Sequence, residues 1–310
     1  MHIGGWSVLL LEAGGDETPL SEISAMAPTL EGGPMDLAVQ DRASIRFLRS
    51  YERFTMLQAN TINGMLYDLG NRRDYYNWDW AGNIGWSYDE VLPYFKKSEN
   101  MGVERYLNSS FHKTGGYLTM EEFRYHPKIL DTLLKSAKGI GYQSNDINGE
   151  KQIGFGLAYG TVRCSTTKTP ARNCLNFDIC LNSSVVNILI DSNKKVTQDV
   201  VFKMKMQRHT VVVRKEVIVS SAGAINSPNL LMLSGIRPPS QLLEAGILPI
   251  IADLKVGQNL QDRITLGGLV YTIQYPIGIV FPRISNPEKF TQFLLQNDGP
   301  LMTLGVGQAL

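Results

Sequence analysis

Glu216-Val217-Ile218-Val219-Ser220-Ser221-Ala222-Gly223-Ala224-Ile225-Asn226-Ser227-Pro228-Asn229-Leu230-Leu231-Met232-Leu233-Ser234-Gly235-Ile236 reads as a strand, a tight turn and a helix. Val217 to Val219 is a short β-branched run suited to a buried strand. Ala222-Gly223-Ala224 keeps the turn free of bulk, so a ligand can reach backbone there. Asn226 or Ser227 is the expected cap, Pro228 suits the first helical position and Gly235 the exit. Alone, the stretch describes either an α/β turn of the phosphate-binding kind or a closely packed crossover with no ligand.

Outward from it, Val8 to Leu11 is continuously apolar, as expected of a strand covered on both faces in a parallel sheet. Glu12 follows directly. A carboxylate at the carboxyl end of such a strand can accept hydrogen bonds from ribose hydroxyls; the alternative is a solvated strand-end acid. Ser87-x-x-Glu90 predicts a capping box opening a helix through Phe95, with Asp89 early, Lys96 and Lys97 late, and Pro93 weakening or kinking it. His126-Pro127 introduces a second helix, on which Ile129, Leu130, Leu133, Leu134 and Ala137 share a face until Gly139. Strands are expected over 185–190, 200–204 and 210–213, the last continuing toward Val219, with a turn at Asp191-Ser192-Asn193. A three-stranded meander therefore precedes the strand-turn-helix.

At 310 residues and 43% hydrophobic content the chain can bury one or two ordinary cores. A net charge of +1 gives no reason to expect nucleic acid or an anionic membrane as partner. Cys164, Cys174 and Cys180 lack Cys-x-x-Cys spacing and a nearby His pair, which argues against zinc. No secretory signal is read at the amino end, because the apolar run is too short and leads into acidic residues. The uncharged stretch from Ile264 to Pro282 has the length of a membrane span, but Thr265, Thr272, Gln274, Pro276 and its glycines are costly there, and strands meeting in a turn near Tyr275-Pro276 are expected instead. Gly154-Phe155-Gly156 and Gly305-Val306-Gly307 lack the strand and helix of a dinucleotide fingerprint.

The opening stretch resembles the second signature of the glucose-methanol-choline oxidoreductases, flavoenzymes that oxidise alcohols. Four further segments resemble the same family in the same order: Ser7 to Gly15; Asn63-Gly64-Met65-Leu66-Tyr67 with Gly70-Asn71-Arg72-Arg73-Asp74-Tyr75; Gly85 to Phe95; and Val256-Gly257-Gln258-Asn259-Leu260-Gln261-Asp262. The resemblance implies an α/β fold: a Rossmann-like FAD-binding domain with a β-meander over residues 1–263, then the start of an α+β substrate domain over 264–310. It implies FAD as cofactor, with Glu12 at the ribose, Ala13 and Gly14 beside the adenosine, Val185 at the adenine, Ala222, Gly223 and Ala224 against the flavin nucleotide, and Asn63 with Gly64 on the flavin-ring side. It implies an alcohol or sugar substrate, a quinone or dye-like electron acceptor and, by analogy, an extracellular site.

Departures from the family pattern bear on activity. The chain is expected to begin at the second strand, without the first strand and glycine fingerprint, and to end before the histidine that acts as general base in the family. Residues 51–60 replace a glycine-rich loop, Arg237 stands where glycine is expected and Arg263 where histidine is common. A truncated, inactive form that binds FAD poorly is therefore expected, and no catalytic or metal-ligating residue is assigned. Arg72 and Arg73 read as a solvated or ion-paired face in preference to a phosphate clamp, and His112 as structural. Two other readings stay open: a non-catalytic scaffold or interaction protein derived from such an enzyme, and a nicotinamide dehydrogenase, to which Glu12 would equally suit.

Overall fold

The computed structural model describes residues 7–16, 18–30, 64–163, 177–217, 222–261, 273–275 and 277–303. In chain order the elements are β1 (Val8–Leu11), α1 (Ala27–Leu30), α2 (Arg72–Trp80), α3 (Tyr88–Ser98), β2 (Glu99–Met101), β3 (Leu118–Glu122), α4 (Lys128–Gly139), β4 (Tyr159–Gly160) and β5 (Phe177–Cys180). They continue with β6 (Ser183–Ile190), β7 (Thr197–Met204), β8 (Gln207–Val212), α5 (Gly223–Leu233), α6 (Pro239–Glu244), α7 (Phe281–Ile284) and α8 (Pro287–Gln296). The chain divides into two compact units, Met1–Asp16 with Arg172–Tyr271, and Glu17–Ala171 with Thr272–Leu310. The expected boundary near Arg263 lies outside the described residues.

In the first unit β1 pairs in parallel with β5, Leu11 opposite Cys180. Parallel pairing agrees with the apolar run, but the strand is not covered on both faces: Leu9 is 45% exposed and its neighbours are half-buried. A run without polar residues does not report how many layers cover it, which depends on packing contributed from elsewhere in the chain. The meander forms as expected, antiparallel in the order β6-β7-β8, and begins two residues earlier, at Ser183. Its first turn is held by the Asp191 carboxylate, whose Oδ1 accepts from the N–H groups of Asn193 and Lys194 at 2.9 and 2.7 Å. The second is a two-residue hairpin with both Lys205 and Met206 at positive φ, a geometry that usually calls for Asn or Gly and so is not signalled by these residue types. Val200, Phe202 and Ile188 point into the buried side.

The helix of the opening stretch starts earlier than its residues suggest. The last meander strand ends at Val212 and does not continue toward Val219: residues 213–217, Val217 included, are not in a strand, and residues 218–221 lie outside the described residues. Helix α5 begins at Gly223, has Ala222 as its N-cap without a side-chain bond, and carries Pro228 in its interior. Asn226 and Ser227 are thus helical residues and not caps. Gly235 does end the helix, at φ +82°, where a Cβ would also meet the Leu248 carbonyl oxygen at 2.8 Å. Ser234, buried, accepts the Ile188 N–H through Oγ at 3.0 Å and donates to the Leu230 carbonyl at 2.7 Å, pinning α5 to β6.

In the second unit β2, β3 and β4 form a mixed sheet. The capping box is present: Glu90 Oε2 accepts from the Ser87 N–H at 3.2 Å and from its hydroxyl at 2.5 Å. Helix α3 passes through Pro93 to Ser98, three residues beyond the expected end. α4 follows Pro127 and buries Leu130 and Ala137, close to expectation. Asn71, not singled out from sequence, caps α2 by accepting the Arg73 N–H at 2.9 Å. Two apolar clusters sit around the sheet, Ala27, Met65, Phe123 and Val162 in one, Tyr67, Met101, Val103, Met120 and Tyr159 in the other. A third joins Ile23, Ala25 and Met26 to Ile284 and Leu301.

Candidate functional site

The carboxyl ends of β1 and β5 make the framework of the site. Glu12 donates its N–H to the Cys180 carbonyl at 3.0 Å, prolonging the parallel ladder by one residue. The chain beyond β5 then turns at Asn182, whose φ of +55° lies in the left-handed region that Asn tolerates. This turn returns the backbone to the β1 end: Asn182 N–H donates to the Gly14 carbonyl at 2.9 Å and Ser183 N–H to the Glu12 carbonyl at 2.8 Å. Ser183 is fully buried and opens β6, so Val185 follows two residues after the contact with Glu12.

Glu12 itself is held in a local ring. Its Oε1 accepts the Gly14 N–H at 2.7 Å, which orients the half-buried carboxylate; among the described residues nothing hydrogen-bonds Oε2. Gly14 is buried and Ala13 exposed. A carboxylate with one oxygen fixed and the other available, at the end of a parallel strand, suits a ligand hydroxyl pair.

Of the residues expected at the site, Glu12, Ala13, Gly14, Val185, Ala222, Gly223 and Ala224 all fall in the first unit. Glu12 and Val185 are brought together through Ser183. Ala222 and the first two residues of α5, Gly223 and Ala224, are half-buried to exposed, with Gly223 at φ +81°. That helix packs on β6, the strand that carries Val185. Gly64 is half-buried in the second unit, and Asn63 lies outside the described residues. Asn182 and Ser183 were not anticipated; an Asn directly after an apolar run is the available signal, since it favours positive φ.

Other chemistry-bearing residues have structural roles. Arg72 is not a phosphate clamp: Nη2 donates to the carbonyls of Gly149 and Glu150 at 3.1 and 2.7 Å, and the guanidinium lies over the Tyr88 and Phe111 rings. Among the described residues, no cluster of His, Cys, Asp or Glu could hold a metal ion, and no helix is long and apolar enough to cross a membrane. Cys180 is a free thiol, 3.0 Å from the Ser183 hydroxyl; Cys164 and Cys174 lie outside the description.

A family model described as GMC oxidoreductase matches residues 59–265. The chain is 36% identical to a glucose dehydrogenase [FAD, quinone] of Drosophila pseudoobscura pseudoobscura, across 97% of this chain and 50% of that protein. It is 32% identical to an oxygen-dependent choline dehydrogenase of Vibrio vulnificus, across 88% of this chain and 50% of that one. The chain thus spans about half the length of these relatives. Among solved structures, a formate oxidase superposes with a TM-score of 0.76 over 98% of this chain and 56% of its own, at 22% identity. An FAD-dependent oxidoreductase from Chaetomium thermophilum gives 0.74 over 98% and 57%, at 23% identity. These two likenesses concern the fold.

Proposed function

The chain belongs to the glucose-methanol-choline oxidoreductase family, and from that premise we propose that it holds the nucleotide of FAD in an oxidoreductase acting on the CH–OH group of an alcohol or sugar. The observation that carries the reading is the Glu12 carboxylate at the end of β1, held at Oε1 by the Gly14 N–H and, among the described residues, without a hydrogen bond at Oε2. Bound FAD would supply the hydride acceptor. Glu12 takes the ribose hydroxyls; Ala13 and Gly14 admit the adenosine without bulk, and the Val185 backbone lies at the adenine. Ala222, with the exposed Gly223 and Ala224 at the start of α5, faces the flavin nucleotide, where a helix amino terminus favours an anion.

An alcohol or sugar donor and a quinone or dye-like acceptor accord with the names of the relatives, a glucose dehydrogenase [FAD, quinone] and a choline dehydrogenase. Arg237, Arg263 and residues 51–60 depart from the family pattern. On those departures we read this chain as a weak binder of FAD.

Titration of the purified chain with FAD, followed by quenching of flavin fluorescence and repeated with NAD, tests the reading. Saturable FAD binding, displaced by adenosine diphosphate and unaffected by NAD, is expected. A chain that folds and binds no flavin at all, or that prefers NAD, overturns it; the first outcome would restore the scaffold reading and the second the nicotinamide one.

A further inference from the structure

The second unit encloses a polar network built around His112, which is 4% exposed. Its Nδ1 lies 2.7 Å from Glu99 Oε1 and its Nε2 2.7 Å from Asp146 Oδ2. Each carboxylate is otherwise met by donors. Glu99 Oε2 accepts the Lys113 N–H at 3.2 Å, and Asp146 Oδ1 accepts the Asn148 N–H at 3.0 Å and the Tyr159 hydroxyl at 2.9 Å. A neutral imidazole has one N–H and one lone pair, so it would set that lone pair against a carboxylate oxygen. Moving the missing proton to a carboxyl is disfavoured, because imidazole is ordinarily the stronger base, about 6.5 against about 4.

We propose that His112 is a resident imidazolium, donating from both ring nitrogens, and that its charge acts as a latch holding the loop after Asp146 against residues 67–72. The connection is continuous. Asn148, fully buried, donates to the Tyr67 carbonyl and the Tyr159 hydroxyl at 2.8 Å each and accepts the Leu69 N–H at 2.8 Å. Further along the loop, Gln152 donates to the Gly70 carbonyl and accepts the Arg72 N–H, both at 2.9 Å. Asp146 orients this loop, and His112 fixes Asp146 to Glu99 at the head of β2.

Among the described residues, the titratable groups that contact the ring have defined places. Glu99 and Asp146 supply the two anions. Tyr106 stacks on the ring at 5.6 Å, a face-on contact that favours a cation, and Tyr159 lies at 6.1 Å with its ring steeply inclined to the imidazole. The Tyr67 hydroxyl, beside Glu99, and that of Tyr159 are both pushed upward, first by burial, and stay neutral. Two cations near the network are engaged with other groups: Arg105 with Glu122 and the Tyr106 ring, and Arg72 with the loop carbonyls. Burial opposes charge on His112, but the bonds to Asp146 and Glu99 and their charges outweigh it and raise its pKa to about 9. A raised folded-state value means that the charge stabilises the fold fully below about pH 6.5 and ceases to do so as pH rises through about 9.

The chain contains four histidines, so 15N-histidine spectra of the whole protein can follow each ring. Two protonated nitrogens on His112 at pH 7, with a midpoint near pH 9, are expected, and a ring titrating at or below its ordinary value overturns the imidazolium. H112Q assigns the signal; should that variant not fold, H2Q, H126Q and H209Q identify it by elimination. Hydrogen exchange of residues 64–72, corrected for intrinsic pH dependence, reads the latch. Its protection should fall several-fold between pH 7 and pH 10 in the wild-type chain, and unchanged protection overturns it.

Discussion

The Gly14 N–H donates to Glu12 Oε1 at 2.7 Å, closing a local ring across Ala13 at the end of β1. The bond sets the carboxylate before any ligand arrives, so the remaining oxygen is presented without further ordering of the side chain.

Glu12→Gln keeps an oxygen for Gly14 but replaces the open acceptor with an NH2 donor and removes the charge. Hydrogen bonds to charged groups contribute about 1.5–3 kcal/mol, so FAD affinity is expected to fall roughly 10- to 100-fold with unchanged circular dichroism. Equal affinity for both proteins in the flavin titration would remove Glu12 from the site.

Ser234→Ala deprives the buried Ile188 N–H of its acceptor and removes one tie between the end of α5 and β6. An orphaned buried donor costs about 1–3 kcal/mol, and the urea midpoint of the first unit should move down accordingly. A midpoint unchanged within error would mean that water replaces the hydroxyl.

Gly160→Ala places a Cβ against the Met65 carbonyl oxygen and 2.8 Å from Phe123 Cζ, with Phe123 fully buried. Neither backbone nor a packed ring can yield cheaply, so the loss should reach or exceed about 1–3 kcal/mol. Chemical denaturation of the soluble variant, or its failure to accumulate, measures this; full stability would show that β4 can shift.

Acid should act on the same network that alkali releases. Burial by itself would raise the Asp146 carboxyl, but the His112 hydrogen bond and charge, with the Asn148 N–H and Tyr159 hydroxyl, hold it below its ordinary value of 3.8. A depressed folded-state value contributes stability that is fully present above pH 3.8 and lost as pH falls through the lower folded value. Asp146→Asn should flatten that part of the stability-against-pH curve while lowering the plateau at neutral pH. A curve of unchanged slope would assign the acid loss to other carboxylates.

Local order was legible where a short sequence span contains both partners of an interaction. Ser87 and Glu90 lie three residues apart, and the apolar face of α4 repeats at helical spacing, so the capping bond and that helix follow from reading. The Lys205-Met206 hairpin was not legible because neither residue prefers positive φ; the paired strands impose it. Pro228 misplaced the start of α5 for a related reason: its fixed φ suits the first helical turn, but Pro228 is accommodated within this helix, which begins at the small residues before it.

By itself the sequence determined the nucleotide-facing candidates, because an acid after an apolar run and small residues before a helix are local chemical facts, and five ordered segments assigned the family. Only the tertiary structure decided that Asn182 and Ser183 bind the Glu12 end to the meander, and that His112 stands between Glu99 and Asp146. Those partners are separated by 13 and 34 residues from His112, and a proton shared among them is a property of burial and distance, which no single stretch of chain encodes.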